Sequence, residues 1–430
     1  MTTATAWESK APPMGSVKPF DGIRGIGVWL VIIHHAWAIS DSISGYIDLF
    51  FVLSGFLITT LIFEEKRSTG GVSLRNFYGR RGLRLLPSLI VVLIIFWIPV
   101  PLFAPELTGQ VTAETVATLF YVHNIFFSPL LGSFQYMGQM WSLSLEEQFY
   151  LIGAVATYWC IKRNWIRQMA VVLVGFILFV WVARALGHGG PGQFWFQRPD
   201  AIALGVLLAI INAELPPELP ERALLWLKRA AWVALVAFVF SIFSSSLLVE
   251  RITGFYVPMY PGEEEAAEQL GIDPDDPPGG DLGDAVADAI GAQVGVDPDD
   301  ATKDEALQIA NRAIGLVLEE LPDGNYWVRW GFTLATASAA VLCLAFVRLR
   351  DDFALSRWLS ARPLAYFGVL SYALYISHYQ LFILMDPGFT GGPKWVPIKL
   401  LAAYLVGAGL HRWVEKPAMR YRYLFSPRSR

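Results

Sequence analysis

The chain has 430 residues, of which 54% are hydrophobic and 16% charged, and its mean hydropathy is +0.45. Soluble domains carry about 25% charged residues, so the composition excludes a soluble globular protein and points to an all-α polytopic membrane protein. The net charge of −4 hides an asymmetry: residues 251–327 hold 18 Asp/Glu against 3 Lys/Arg, and the remainder 19 against 30.

Apolar runs near the 20 residues needed to cross a bilayer fall at 22–40, 45–63, 85–103, 141–161, 168–186, 199–213, 230–249, 328–348, 363–384 and 395–411. Residues 1–19 are polar and proline-bearing, so no cleavable signal is expected and the first run stays in the membrane. Ten spans with both ends cytoplasmic put 25 of the 33 Lys/Arg on the inner side, as the positive-inside rule requires. Residues 113–131 are also apolar, but they contain His123, Asn124 and Pro129. Counting them as an eleventh span would place Lys162, Arg163 and Arg167 outside. An outer-face or re-entrant segment is expected there instead.

The expected organisation is a tail (1–19), a membrane core in two parts (20–250 and 328–417) and a basic cytoplasmic tail (418–430). Between the two parts of the core lies an extracytoplasmic acidic insert, 251–327. One amphipathic helix is expected in the insert, capped by Asp300, with Leu307, Ile314, Val317 and Leu321 on one side. Asp273-Pro-Asp-Asp and Asp297-Pro-Asp-Asp lack the glycine and glutamate of a calcium loop. Cys160 and Cys343 both fall in apolar runs, so no disulfide framework is expected.

The first span, Phe20 to Trp37, carries Arg24 and His35. Eleven residues turn a helix about 20° past three full turns, so both lie on one face, roughly 16 Å apart along the axis. Ionisable groups inside a bilayer are costly and read as functional. An imidazole suits proton removal from a hydroxyl near neutral pH, and both His34 and His35 are candidates. The second span opens Gly45-Tyr-Ile-Asp48-Leu-Phe-Phe-Val-Leu-Ser54-Gly55-Phe. There Asp48 is either a catalytic carboxylate or a group stabilised by the helix N-terminus, and Ser54-Gly55 suits close helix packing. Next come Arg80, Arg81 and Arg84. Arginines at i and i+3 share a helix face and hold phosphates bidentately, although a basic inner anchor would also explain them. Trp141-Ser-Leu-Ser-Leu-Glu146-Glu147-Gln-Phe-Tyr150 brings two adjacent carboxylates to about the depth of His35. One of them is expected to orient its imidazole, Glu147 slightly ahead of Glu146. Arg198-Pro-Asp200 and Ser371-Tyr-Ala-Leu-Tyr375-Ile-Ser-His378 complete the set. Arg198 and Asp200 either form a structural pair or line the acceptor path, and His378 is a further candidate on that path.

Taken in this order, these blocks resemble the acyltransferase-3 family, the integral-membrane O-acyltransferases of bacterial envelopes. Asp21-Gly-Ile-Arg24-Gly, the Asp48 block, Arg81-x-x-Arg84 before Pro87, the Trp141 block and the closing Glu415-Lys-Pro417 each match a family motif. Gly79 and Gly82 depart from it, since helix formers are commoner there. The resemblance picks His35 rather than His34 as the catalytic histidine. It also implies Arg81 and Arg84, with Arg24 deeper, as contacts to an acyl-CoA donor.

The expected activity is transfer of an acyl group, acetyl by family habit, from cytoplasmic acyl-CoA to a hydroxyl of an envelope glycan or glycolipid. The expected location is the bacterial inner membrane. No metal, nucleic-acid partner or appended hydrolase-like domain is expected. The rival reading is a transporter or flippase of an acylated lipid or sugar, because intramembrane His, Asp and Glu also make proton relays. An inactive scaffold whose insert recruits a partner is a third.

Overall fold

The computed structural model describes residues 7–37, 45–127, 136–186, 198–244, 270–273, 278, 282–294, 330–385 and 393–425. Among the described residues there are helices and no strands. The main helices are α1 (Lys18–Trp37), α2 (Gly45–Thr69), α3 (Leu74–Trp97), α4 (Thr108–Leu119), α5 (Met140–Arg163), α6 (Ile166–Ala185), α7 (Pro199–Glu214), α8 (Glu221–Phe243), α9 (Leu282–Val294), α10 (Phe332–Arg348), α11 (Arg362–Met385) and α12 (Val396–Leu410).

Among the described residues, five segments are long and apolar enough to cross a membrane: α2, Leu74–Phe103, α6, α8 and α11. The chain is therefore a multi-pass membrane protein. The described residues of the other five expected spans are also helical. Of these, α7, α10 and α12 run only 16, 17 and 15 residues, about 22–26 Å at 1.5 Å per residue. Helices α1 and α5 are longer but carry Asp21 and Arg24, and Glu146 and Glu147, respectively.

Helix boundaries follow local chemistry. Ser73 caps α3, its hydroxyl accepting from the Asn76 amide at 3.3 Å, so this helix starts eleven residues before the expected span. Asn164 ends α5 in the left-handed region at φ 59°, the usual helix stop. The apolar stretch expected to form an outer-face or re-entrant segment is broken: α4 ends at Leu119, Tyr121 has φ 55°, and His123–Phe126 forms a single turn. Within the acidic stretch α9 is described, and the sequence reading did not foresee it. The helix expected from Asp300 lies outside the described residues.

Two close helix crossings frame the body. A Cβ on Gly55 of α2 would stand 2.2 Å from the Ile202 carbonyl oxygen, and one on Gly205 of α7 would stand 2.2 Å from that of Val52. Small residues let these backbones touch, which is the membrane's substitute for hydrophobic association. Gly25 of α1 and Gly368 of α11 meet the opposite backbones in the same way, at Leu364 and Asp21. The N-terminal segment is tied across one end of the bundle. The Trp7 indole donates to Glu214 at 2.8 Å, the Lys10 amide to the Ala213 carbonyl at 2.7 Å, and the Met14 amide to Glu64 at 2.5 Å.

Candidate active site

A cavity of about 860 Å³ opens between α1, α2, α3, α5 and α11. Along α2 its wall extends from Ile47 to Ser68. Those 22 residues rise about 32 Å, close to the roughly 30 Å of a bilayer's hydrocarbon core. On α1 the wall runs from Phe20 and Asp21 into a stripe of Arg24, Val28 and Val31. That stripe of i, i+4 and i+7 positions leads one turn further to His35.

One end of the cavity is basic. Arg24, Arg80, Arg81, Arg84 and Arg422 border it, but they are not equivalent. Arg81 is held by Glu147, its Nε lying 3.0 and 2.9 Å from the two carboxylate oxygens, with a further bond from Nη2. Its guanidinium also lies 3.3 Å from the Tyr150 ring centre. Arg80 donates to Glu65 at 2.8 Å and to the Phe425 carbonyl at 2.7 Å. Arg24 and Arg84 make no hydrogen bond or ion pair among the described residues. Asp21 also borders the cavity and feels the charge of both, and two cations with one carboxylate nearby keep a net positive charge suited to an anionic ligand.

Past the other end, and outside the residues that border the cavity, lies a histidine pair. His35 Nδ1 lies 2.8 Å from His378 Nε2, with the rings stacked at 5.1 Å and 14°. His378 Nδ1 lies 2.8 Å from the Tyr375 carbonyl oxygen and 3.1 Å from that of Leu374. Carbonyl oxygens only accept, so His378 Nδ1 carries hydrogen and its neutral Nε2 accepts from His35 Nδ1–H. His35 Nε2 is left with a lone pair, the atom a general base needs. Tyr375 joins the two regions. Its hydroxyl borders the cavity beside Ser142, at 2.6 Å, while its backbone carbonyl holds His378.

The expected carboxylate partner of His35 is replaced by this second imidazole. Helix α1 packs along α11, so the His35 face meets His378, whereas α5 presents its acids to α2 and α3. Glu146 and Glu147 both border the cavity, the former accepting from the Ser54 and Tyr150 hydroxyls and the latter from Arg81. The cavity spreads around both directions.

Asp48, Arg198 and Asp200 sit elsewhere. Arg198 Nη1 lies 3.2 Å from Asp48, which also accepts from Thr336 at 3.3 Å. Asp200 binds Arg184 at 3.0 and 2.6 Å and accepts from the Trp181 indole at 3.0 Å. All four charged residues are at most 3% exposed, and none borders the cavity. They tie α2, α6, α7 and α10 together as a buried clamp. Arg184 was missed in the sequence reading. An arginine inside the apolar end of α6 needs a partner, and that was the available signal.

An acyltransferase domain model matches residues 18–413 of the chain. Among curated proteins, peptidoglycan O-acetyltransferase OatA of Listeria monocytogenes is 28% identical over 244 residues, covering 52% of this chain and 39% of the relative. The O-acetyltransferase OatA of Staphylococcus aureus is 31% identical over 207 residues, covering 44% of this chain and 34% of the relative. A putative O-acetyltransferase of Staphylococcus aureus strain COL is 29% identical over 223 residues, covering 47% and 36%. The chain thus spans less than two fifths of the length of these relatives. No solved structure matches it. With the domain matched across nearly its whole length, the chain belongs to the acyltransferase-3 family.

Proposed function

We propose that the protein transfers an acyl group, in the first instance acetyl, from cytoplasmic acyl-CoA to a hydroxyl of an envelope glycan or glycolipid. The observation that carries the reading is the single cavity with Arg24 and Arg84 at one end and Tyr375, backing the His35–His378 pair, at the other. The relatives' printed names supply the acetyl group and, for one of them, the peptidoglycan acceptor.

In this reading the chain crosses the inner membrane about ten times with both ends cytoplasmic, and the arginine end of the cavity faces the cytoplasm. Donor phosphates sit on Arg24 and Arg84, and the thioester reaches along the apolar wall of Val28 and Val31. His35 Nε2 removes the proton of the acceptor hydroxyl. The freed oxygen attacks the acyl carbonyl carbon, the C–S bond breaks, and the thiolate leaves to be protonated as CoA. His378 is a positioning residue: it fixes the His35 tautomer and steadies the imidazolium, the part an acid plays in a Ser-His-Asp triad.

The test is mass spectrometry of envelope glycans and lipids from a deletion strain, complemented with wild type or with His35→Ala. Loss of one acylated species, restored by wild type alone, is the expected result. Equal complementation by both, or movement of a species between leaflets without a mass change, would favour the transporter reading.

A further inference from the structure

The C-terminal segment Arg420–Phe425 is built into the cavity mouth. Met419 and Arg422 border the cavity there, opposite Met14 to Val17 of the N-terminal segment. Two independent contacts dock it on α3. The Phe425 ring lies over Gly79, where a Cβ would come within 2.2 Å of it. Arg80 then ties the Phe425 carbonyl at 2.7 Å and Glu65 of α2 at 2.8 Å. This accounts for the glycine that departs from a helix former at position 79: it is a seat for an aromatic ring. At Gly82 a Cβ would meet only Leu86, at 3.7 Å.

The arginines thereby fall into two tiers. Arg24 and Arg84 lie inside, on α1 and on the third turn of α3, where they suit a pyrophosphate. Arg422 lies at the rim, exposed, on a segment held in place by Arg80 and Gly79. CoA carries anionic charge at two separated places, the pyrophosphate and the 3′-phosphate of its ribose. A thioester that enters acyl-first leaves the nucleotide end, with the 3′-phosphate, at the rim.

We propose that Arg420–Phe425 is the nucleotide-recognition edge of the donor site and that Arg422 binds the 3′-phosphate of CoA. This rests on the reading of acyl-CoA as donor. It makes the protein selective for CoA over its 3′-dephospho form and over carriers bearing only phosphopantetheine.

The test is calorimetric binding of CoA, 3′-dephospho-CoA and 4′-phosphopantetheine to the purified full chain, as wild type, Arg422→Gln and Gly79→Leu. Wild type is expected to bind CoA about tenfold or more tightly than 3′-dephospho-CoA, the size of one charge-assisted phosphate contact. Arg422→Gln should bind the two forms alike by losing affinity for CoA alone. Gly79→Leu should reproduce that loss by unseating Phe425, with the arginine still present. A wild type that does not discriminate, or an Arg422→Gln that still does, would overturn the assignment while leaving CoA as donor. Binding of none of the three probes by wild type would overturn the donor reading itself.

Discussion

His35 and His378 come from helices at opposite ends of the chain, 343 residues apart, and meet Nδ1 to Nε2 at 2.8 Å. Because His378 Nδ1 is committed to the Tyr375 and Leu374 carbonyls, the hydrogen-bond chain has one direction, and it leaves the base at His35 Nε2. Replacing His35 with Ala should abolish transfer. Replacing His378 with Phe should keep the ring volume but lose the acceptor. The expected result is a kcat lowered about 10²- to 10⁴-fold, the range of general-base catalysis, with KM for acyl-CoA unchanged. Steady-state kinetics in proteoliposomes would separate the two parameters. A raised KM at normal kcat would place His378 in substrate binding instead.

Arg84 is expected to act on the donor alone. Removing one charge-assisted phosphate contact costs about 1.5–3 kcal/mol, so Arg84→Ala should raise KM for acyl-CoA about tenfold to a hundredfold at similar kcat. The wild-type KM should also rise with salt more steeply than that of the variant, because screening weakens the contact.

Arg81 and Glu147 are expected to behave as one unit. Loss of either partner leaves a charge in a poorly solvated place, at a cost of about 3–5 kcal/mol for a fully buried pair. Glu147→Gln and Arg81→Met should each lower the melting temperature in detergent. The double variant should lose less than the sum of the two, and a thermal-shift double-mutant cycle measures that coupling. Additive losses would mean that the pair contributes nothing as a pair.

The clamp makes a contrasting prediction. Arg184→Met leaves Asp200 buried at 0% exposure without its bidentate partner, so the yield of folded protein should fall sharply, again by about 3–5 kcal/mol. Activity per folded molecule should stay near wild type. A well-folded but inactive Arg184→Met would return Asp200 to the acceptor path.

What the sequence could and could not convey follows from the range of the interactions. The stripe from Arg24 to His35 was legible because helical periodicity is local, and the same holds for the arginine spacing on α3 and for the glycine on α2 that meets α7. The break near Tyr121 was legible from His123, Asn124 and Pro129 and from the charge balance. Partners across helices were not. Glu146 and Glu147 were expected at the depth of His35, but Glu147 is held by Arg81 at the basic end of the cavity, because which helix they address depends on how α5 is set against α2 and α3. The same uncertainty hid His378 as the partner of His35. Gly79 could be noticed as unusual, but its reason lies at Phe425, almost at the other end of the chain.

The most direct test of the central claim is a single assay with purified protein in proteoliposomes. Labelled acetyl-CoA is supplied on the arginine side and envelope lipid and glycan acceptors on the other, comparing wild type, His35→Ala and Arg84→Ala. The expected result is label transferred to an acceptor with matching release of CoA by wild type, none with His35→Ala, and recovery of Arg84→Ala at high donor concentration. Transfer by His35→Ala at the wild-type rate would contradict the claim.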